Sequence, residues 1–150
     1  MRITVLGAGA WGTALAKRLH EAGHDITVWG HADRLAAIRA KGENQRYLPG
    51  IPLPNAWRLE DNLKSALDKA TCGVVAVPSA NFRNAAEGLC DFNGIAVSVT
   101  KGIEHESGLT MGGVLAQCAP NAEVAALSGP SLAAEVARGI PTALVSASED

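Results

Sequence analysis

The amino-acid sequence predicts an α/β fold: a doubly wound, mostly parallel sheet with helices on both faces. Three observations predict it. Apolar runs rich in valine and isoleucine alternate with helix-patterned stretches, which implies repeated β–α units joined by right-handed crossovers. Most of those runs are continuously apolar, as expected of strands covered on both faces. The first run opens directly into Gly7-Ala8-Gly9-Ala10-Trp11-Gly12 and then a helix pattern.

Strands are expected at residues 3–6, 26–29, 73–77, 95–99, 124–127 and 142–145. Behind the first, Trp11, Ala14, Leu15, Leu19 and Ala22 recur at helical spacing, and Gly23 ends that helix. A second helix is expected at about 34–41 with Asp33 as its cap. Others are expected near 63–69, 80–90, 109–119 and 132–138. Residues 43–54 break the rhythm. Pro49, Gly50, Pro52 and Pro54 forbid a helix and a central strand there, and a structureless run of that length is usually functional or a linker.

A chain of 150 residues fits one domain with a sizeable core. Its net charge of −2 gives no reason to expect a nucleic-acid partner, so any anion site must be local. No apolar run reaches the roughly 18 residues that a membrane helix needs. The first strand is broken at once by glycines, unlike a signal peptide. Cys72, Cys90 and Cys118 form no C-x-x-C pair, and their odd number argues against a disulfide framework. They are expected to be small buried hydrophobes in a reducing compartment, and the expected location is cytoplasmic.

The strand–Gly7-x-Gly9-x-x-Gly12–helix order is the context required of a dinucleotide fingerprint, and it points to a Rossmann-type domain. Gly7 permits the tight turn, Gly9 lets the backbone approach a pyrophosphate, and Gly12 lets the helix pack closely on the sheet. The unpartnered amides of the first helical turn would face the phosphates. Where an acid would hold the ribose of NAD, the second strand leads into Trp29-Gly30-His31-Ala32-Asp33-Arg34. His31 and Arg34 can embrace a 2′-phosphate, so NADP is favoured over NAD.

Two further turns at strand ends carry candidate chemistry. Thr100-Lys101-Gly102 would aim an ammonium into the ligand crevice, to pair a substrate phosphate or polarise a carbonyl. In Ser128-Gly129-Pro130-Ser131, Ser131 is a natural helix cap, and the free amides beyond it would form a second anion pocket. Pro78-Ser79 is a weaker signal of the same kind. His20-Glu21-Ala22-Gly23-His24 matches H-E-x-x-H, but Gly23 reads as the helix stop, so no metal site is expected. No Ser-His-Asp or Cys-His arrangement stands out.

Taken in order, residues 7–16, Tyr47-Leu48-Pro49-Gly50-Ile51, Val77-Pro78-Ser79, Thr100-Lys101-Gly102-Ile103-Glu104 and Ser128-Gly129-Pro130-Ser131 resemble the N-terminal domain of bacterial NAD(P)-dependent glycerol-3-phosphate dehydrogenase. The resemblance covers nearly the whole chain. It implies reversible hydride transfer between NAD(P)H and dihydroxyacetone phosphate, giving sn-glycerol 3-phosphate for phospholipid synthesis. By similarity Ala10, Trp11, His31, Tyr47, Lys101 and Ala133 would contact the cofactor, and Lys101, Gly129 and Ser131 the substrate. The family usually has serine at Ala10 and commonly phenylalanine at Leu132. Its helical C-terminal domain, which supplies the catalytic lysine, is expected downstream, so residues 1–150 read as the cofactor-binding half with no catalytic residue of its own. A homodimer is possible for the full-length protein. Other readings remain open: a 6-phosphogluconate- or ketopantoate-type dehydrogenase, a nucleotide-sensing module without catalysis, or a methyltransferase.

Overall fold

The computed structural model describes residues 1–148. In chain order the first half comprises β1 (Arg2–Leu6), α1 (Ala10–Glu21), β2 (Asp25–Trp29), α2 (Ala32–Lys41), β3 (Glu43–Asn44), β4 (Leu48–Pro52) and β5 (Arg58–Glu60). After it come α3 (Leu63–Leu67), β6 (Cys72–Val75), a 3-10 turn at Ser79–Asn81, α4 (Phe82–Glu87) and β7 (Ile95–Ser98). The last elements are α5 (Met111–Cys118), β8 (Glu123–Ser128), α6 (Ala133–Ala137) and β9 (Val145–Ser148). The main sheet has the order β5-β2-β1-β6-β7-β8-β9, parallel throughout except for β9, which runs antiparallel to β8. Strands β3 and β4 form a separate antiparallel pair.

The doubly wound fold expected from the alternating runs is therefore present. The chain builds outward from β1 to β2 and β5, then crosses back to β6 and builds the other way. The carboxyl ends of β1 and β6 thus flank the point where strand order reverses, the place where such sheets hold ligands.

Side-chain alternation along β1 shows how the two layers form. Ile3 and Val5 join Ala14, Ile26, Val28, Leu35, Ile38 and Val136 in one apolar cluster. Leu6 joins Val75, Phe82, Leu89, Val114 and Leu115 in the other. Thr4, on the same face as Leu6, is 1% exposed, and its hydroxyl donates to the Ala66 carbonyl (2.6 Å), so this buried polar group is satisfied.

Several local expectations need correction. Residues 43–54 are not structureless: β3 and β4 make a hairpin whose Leu48 and Ile51 are buried in the first cluster. The prolines are tolerated because this ribbon lies outside the main sheet. Asp33 does not cap α2. His31 holds the cap position without a side-chain bond, and Asp33 sits in the first turn. Ser131 likewise does not cap α6, which begins after Leu132 and has only five residues. The final strand lies at Val145–Ser148, not 142–145, because the antiparallel register with β8 places Val145 opposite Ser128. The edge strand β5 was not expected at all. Cys72 and Cys118 are buried, but Cys90 is exposed just past α4.

Candidate functional site

The turn after β1 is built from glycines for steric reasons. Gly7 has φ +123°, and a Cβ there would stand 2.6 Å from the Ala76 carbonyl oxygen. Its amide donates to the Trp29 carbonyl (2.9 Å), which ties the turn to the end of β2. A Cβ on Gly12 would lie 2.1 Å from the Gly7 carbonyl oxygen, so the first turn of α1 rests directly on the glycine turn. Gly9 differs. Its φ is −82° and a Cβ there would meet nothing within 4 Å. The protein's own packing does not demand glycine at this position, and the space above it is open.

Helix α1 starts with no side-chain cap and no acid in its first turn. Its leading amides have no intrahelical acceptors and end at that open space. Without a competing carboxylate, the helix terminus favours an anion. The donor set fits a pyrophosphate.

Two lobes of one crevice meet over this turn. The first, about 470 Å³, is lined by Gly7, Gly9, Trp29, Gly30, His31, Arg34, Tyr47 and residues 76–78, with Asn81 and Asn84 opposite. The second, about 480 Å³, is lined by Gly9, Ala10, Trp11, Tyr47, Thr100, Lys101, Gly129, Ser131 and Ala133. Gly9, Tyr47, Ala76, Val77 and Pro78 border both. The cofactor and substrate candidates read from the sequence therefore all line this crevice, save Gly12, which lies beneath it, whereas Ser79, Gly102 and Pro130 border neither lobe. Asp33 is absent from both linings and borders an outer hollow that shares Arg34 and Tyr47 with the first lobe.

The first lobe carries local positive charge. The Arg34 guanidinium lies 5.4 Å from the Tyr47 ring centroid and that of Arg46 lies 5.2 Å from it, so the ring sits beside two cations. Trp29 is held in place by its indole N–H, which donates to the Asp61 carbonyl (2.9 Å). In the second lobe the Lys101 ammonium donates to the Gly129 carbonyl (2.9 Å), which joins the two turns read separately from the sequence. Thr100 donates to the Val77 carbonyl (2.7 Å), which fixes the approach to Lys101 from the end of β6.

Beyond Lys101, Glu104 anchors the loop to α4. Arg83 donates to both of its carboxylate oxygens (2.8 and 2.6 Å). Those bonds, with another from Ser107, push the Glu104 carboxyl from its ordinary 4.5 down to about 2, and they raise Arg83. The native carboxyl binds protons less readily than the unfolded one, so its stabilisation is complete above the ordinary value. It is lost as pH falls from 4.5 toward 2. Urea unfolding of Glu104→Gln against the unaltered chain should show a constant stability deficit between about pH 6 and 8 that shrinks below about 4.5. A deficit that persists undiminished to about pH 3 would contradict this role.

The sequence reading missed Trp29, Asn81, Asn84 and Asn44. The first three stand within or just beyond strand-end turns already singled out, which was their only signal. Asn44 had none. Its carboxamide reaches across more than 30 residues to the glycine turn. In the H-E-x-x-H match only the first histidine lies on the helix. Helix α1 stops at Glu21, Gly23 has φ +87°, and His24 lies outside it, 3.3 Å from the Met1 amino group. Among the described residues no helix is long and apolar enough to cross a membrane.

Comparison with known proteins agrees with this fold. Residues 2–150 match the family model for the NAD-dependent glycerol-3-phosphate dehydrogenase N-terminus. A Halorhodospira halophila protein named glycerol-3-phosphate dehydrogenase (NAD(P)+) is 45% identical over 99% of the chain. A Pelodictyon phaeoclathratiforme protein of the same name is 43% identical over 99% of it. The crystal structure of glycerol-3-phosphate dehydrogenase from Coxiella burnetii superposes with a TM-score of 0.91 at 35% identity, and covers 99% of this chain. The chain spans 46% of the length of those two relatives and 47% of that crystal structure's chain. A Dunaliella salina protein aligns at TM-score 0.87 but only 19% identity, which speaks to the fold alone. With residues 2–150 matched, the chain belongs to the family of NAD-dependent glycerol-3-phosphate dehydrogenase N-terminal domains.

Proposed function

We propose that this chain is the NAD(P)-binding half of an sn-glycerol-3-phosphate dehydrogenase, which interconverts dihydroxyacetone phosphate and glycerol 3-phosphate for glycerophospholipid synthesis in the cytoplasm. The observation that carries the reading is the continuous crevice, with an open helix N-terminus at its middle and a cationic group in each lobe. The amides from Ala10 onward receive the pyrophosphate. His31, Arg34 and Tyr47 hold the adenosine end, while Trp11, Lys101 and Ala133 border the nicotinamide end. Bound there, the nicotinamide supplies the hydride. Lys101, near Gly129 and Ser131, binds the phosphorylated substrate in the same lobe. The proton donor is a lysine in a helical C-terminal domain downstream, and the full-length protein forms a homodimer. Residues 1–150 alone therefore bind nucleotide without appreciable turnover, because hydride transfer requires both reactants to be held together.

NADP is the preferred cofactor. Arg34 and His31 border the first lobe and no acid among the described residues does, so a 2′-phosphate meets a guanidinium and an imidazole and no repulsion from the lining. Replacing both residues by alanine should weaken NADPH binding about 10- to 100-fold, the usual worth of hydrogen bonds to a charged group. NADH binding should fall by much less, no more than about fivefold, since it shares the adenosine but lacks the phosphate. Titrating both nucleotides into the variant checks this. An equal loss for the two would mean that these side chains do not read the 2′-phosphate.

A further inference from the structure

We propose that Asn44 is a positioning residue that locks the glycine turn to Tyr47, so that one buried carboxamide sets both the floor and the cover of the crevice. This rests on reading the crevice as a dinucleotide site.

Asn44 is 4% exposed, in a strand of two residues that lies outside the main sheet. A polar side chain buried that far costs stability unless its donors and acceptors are met. They are met by groups of the proposed site. The Nδ2 amide donates to the Ala8 carbonyl (3.0 Å), between Gly7 and Gly9, and to the Thr13 hydroxyl (2.8 Å), in the first turn and a half of α1. The Tyr47 amide is shared between the Oδ1 atom (3.3 Å) and the Asn44 backbone carbonyl (3.2 Å), so side chain and backbone of one residue hold it together. Thr13 is itself 1% exposed, so its hydroxyl depends on this partner.

The hairpin does not need these bonds to stay attached. Leu48 and Ile51 already anchor it in the core, and the Leu53 amide closes its base onto the Gly42 carbonyl (2.8 Å). What Asn44 adds is registration. The pairing of β3 with β4 is irregular between Glu43 and Asn44, and irregularities of this kind re-aim side chains. Here the side chain reaches the turn, and the next backbone amide it holds belongs to the one side chain on the hairpin that borders both lobes. An anion held by backbone amides gains most when those amides are fixed beforehand. Asn44→Asp keeps the shape but turns an acceptor toward the Ala8 carbonyl and adds negative charge beside the anion cradle.

The test is a double-mutant cycle on the chain, with NADPH as the probe and calorimetry well below each variant's melting midpoint. Asn44→Asp is expected to raise the NADPH Kd at least about tenfold, and Tyr47→Ala about fivefold. Because Asn44 acts partly through Tyr47, the double variant should stay within about twofold of Asn44→Asp. Thr13→Val, which removes one acceptor, should weaken binding, and Thr13→Ser should restore it. If Asn44→Asp does not fold, Thr13→Val replaces it in the same cycle. Retained NADPH affinity in the first variant, or losses that multiply in the double, overturns the proposal in favour of a purely structural asparagine. An unaltered chain that does not bind NADPH overturns the dinucleotide reading itself, and this inference with it.

Discussion

Gly9→Glu is expected to abolish dinucleotide binding while leaving folding nearly untouched. Of the three glycines in the turn, this is the one whose missing side chain faces open space. A Cβ meets no atom within 4 Å, and φ is an ordinary −82°. A carboxylate at a helix N-terminus even interacts favourably with the dipole, so the stability change should stay within about 1 kcal/mol. The same carboxylate occupies the pyrophosphate's place and repels it, and NADPH affinity should fall by at least about a hundredfold, or 2.7 kcal/mol. Calorimetry and urea unfolding on one preparation measure both. A variant that still binds NADPH within a few-fold would remove the pyrophosphate from this turn, and one that unfolds would mean Gly9 is structural after all.

Gly12→Ala should do the reverse and strike the fold first. One methyl group would sit 2.1 Å from the Gly7 carbonyl oxygen and 3.2 Å from the Ala76 Cβ. Backbone cannot yield as a flexible side chain would, so α1 must shift away from the turn. Overpacking of this kind costs about 1–3 kcal/mol, and the upper end is expected here because the contact is with backbone. Alanine's better helix propensity returns about 1 kcal/mol at most, too little to reverse the sign. A net loss of about 2 kcal/mol corresponds to a fall of roughly 4–8 °C in melting temperature for a chain this long. NADPH binding should weaken as well, since the displaced helix carries the cradle amides. Unchanged or increased stability in urea would show that the close approach is not obligatory.

The contrast between these glycines shows what was legible in the sequence. Strand, turn and helix lie adjacent along residues 2–16, so the local pattern alone specifies them, and the structure has β1, the turn and α1 in that order. The turns at Lys101 and Gly129 were legible for a related reason. In a parallel sheet all strands deliver their carboxyl ends to one edge, so turns far apart in sequence share a crevice. Their direct bond, from Lys101 to the Gly129 carbonyl, was not foreseeable from either turn alone.

Elements whose form depends on distant partners were harder to read. The hairpin of β3 and β4 is short and proline-rich, and it exists because Leu48 and Ile51 find a core supplied by α1, α2 and β1. Strand β5 is Arg-Leu-Glu, with no apolar run to announce it, and is defined by its pairing with β2. The apolar run at 142–145 points to a strand there, yet register with β8 shifts it to Val145–Ser148. Helix caps failed for a similar reason: Asp33 and Ser131 are good capping residues, but the chain enters each helix one or two residues away from them. Asn44 is the extreme case. Nothing near it in sequence distinguishes it from a surface turn residue, and its role is set entirely by the turn it meets across the fold.

The most direct test of the account is a calorimetric titration of NADPH into the unaltered chain, with NADH beside it. If the crevice is the dinucleotide site, NADPH binds saturably and one to one, with NADH weaker. No saturable binding of either nucleotide would contradict it.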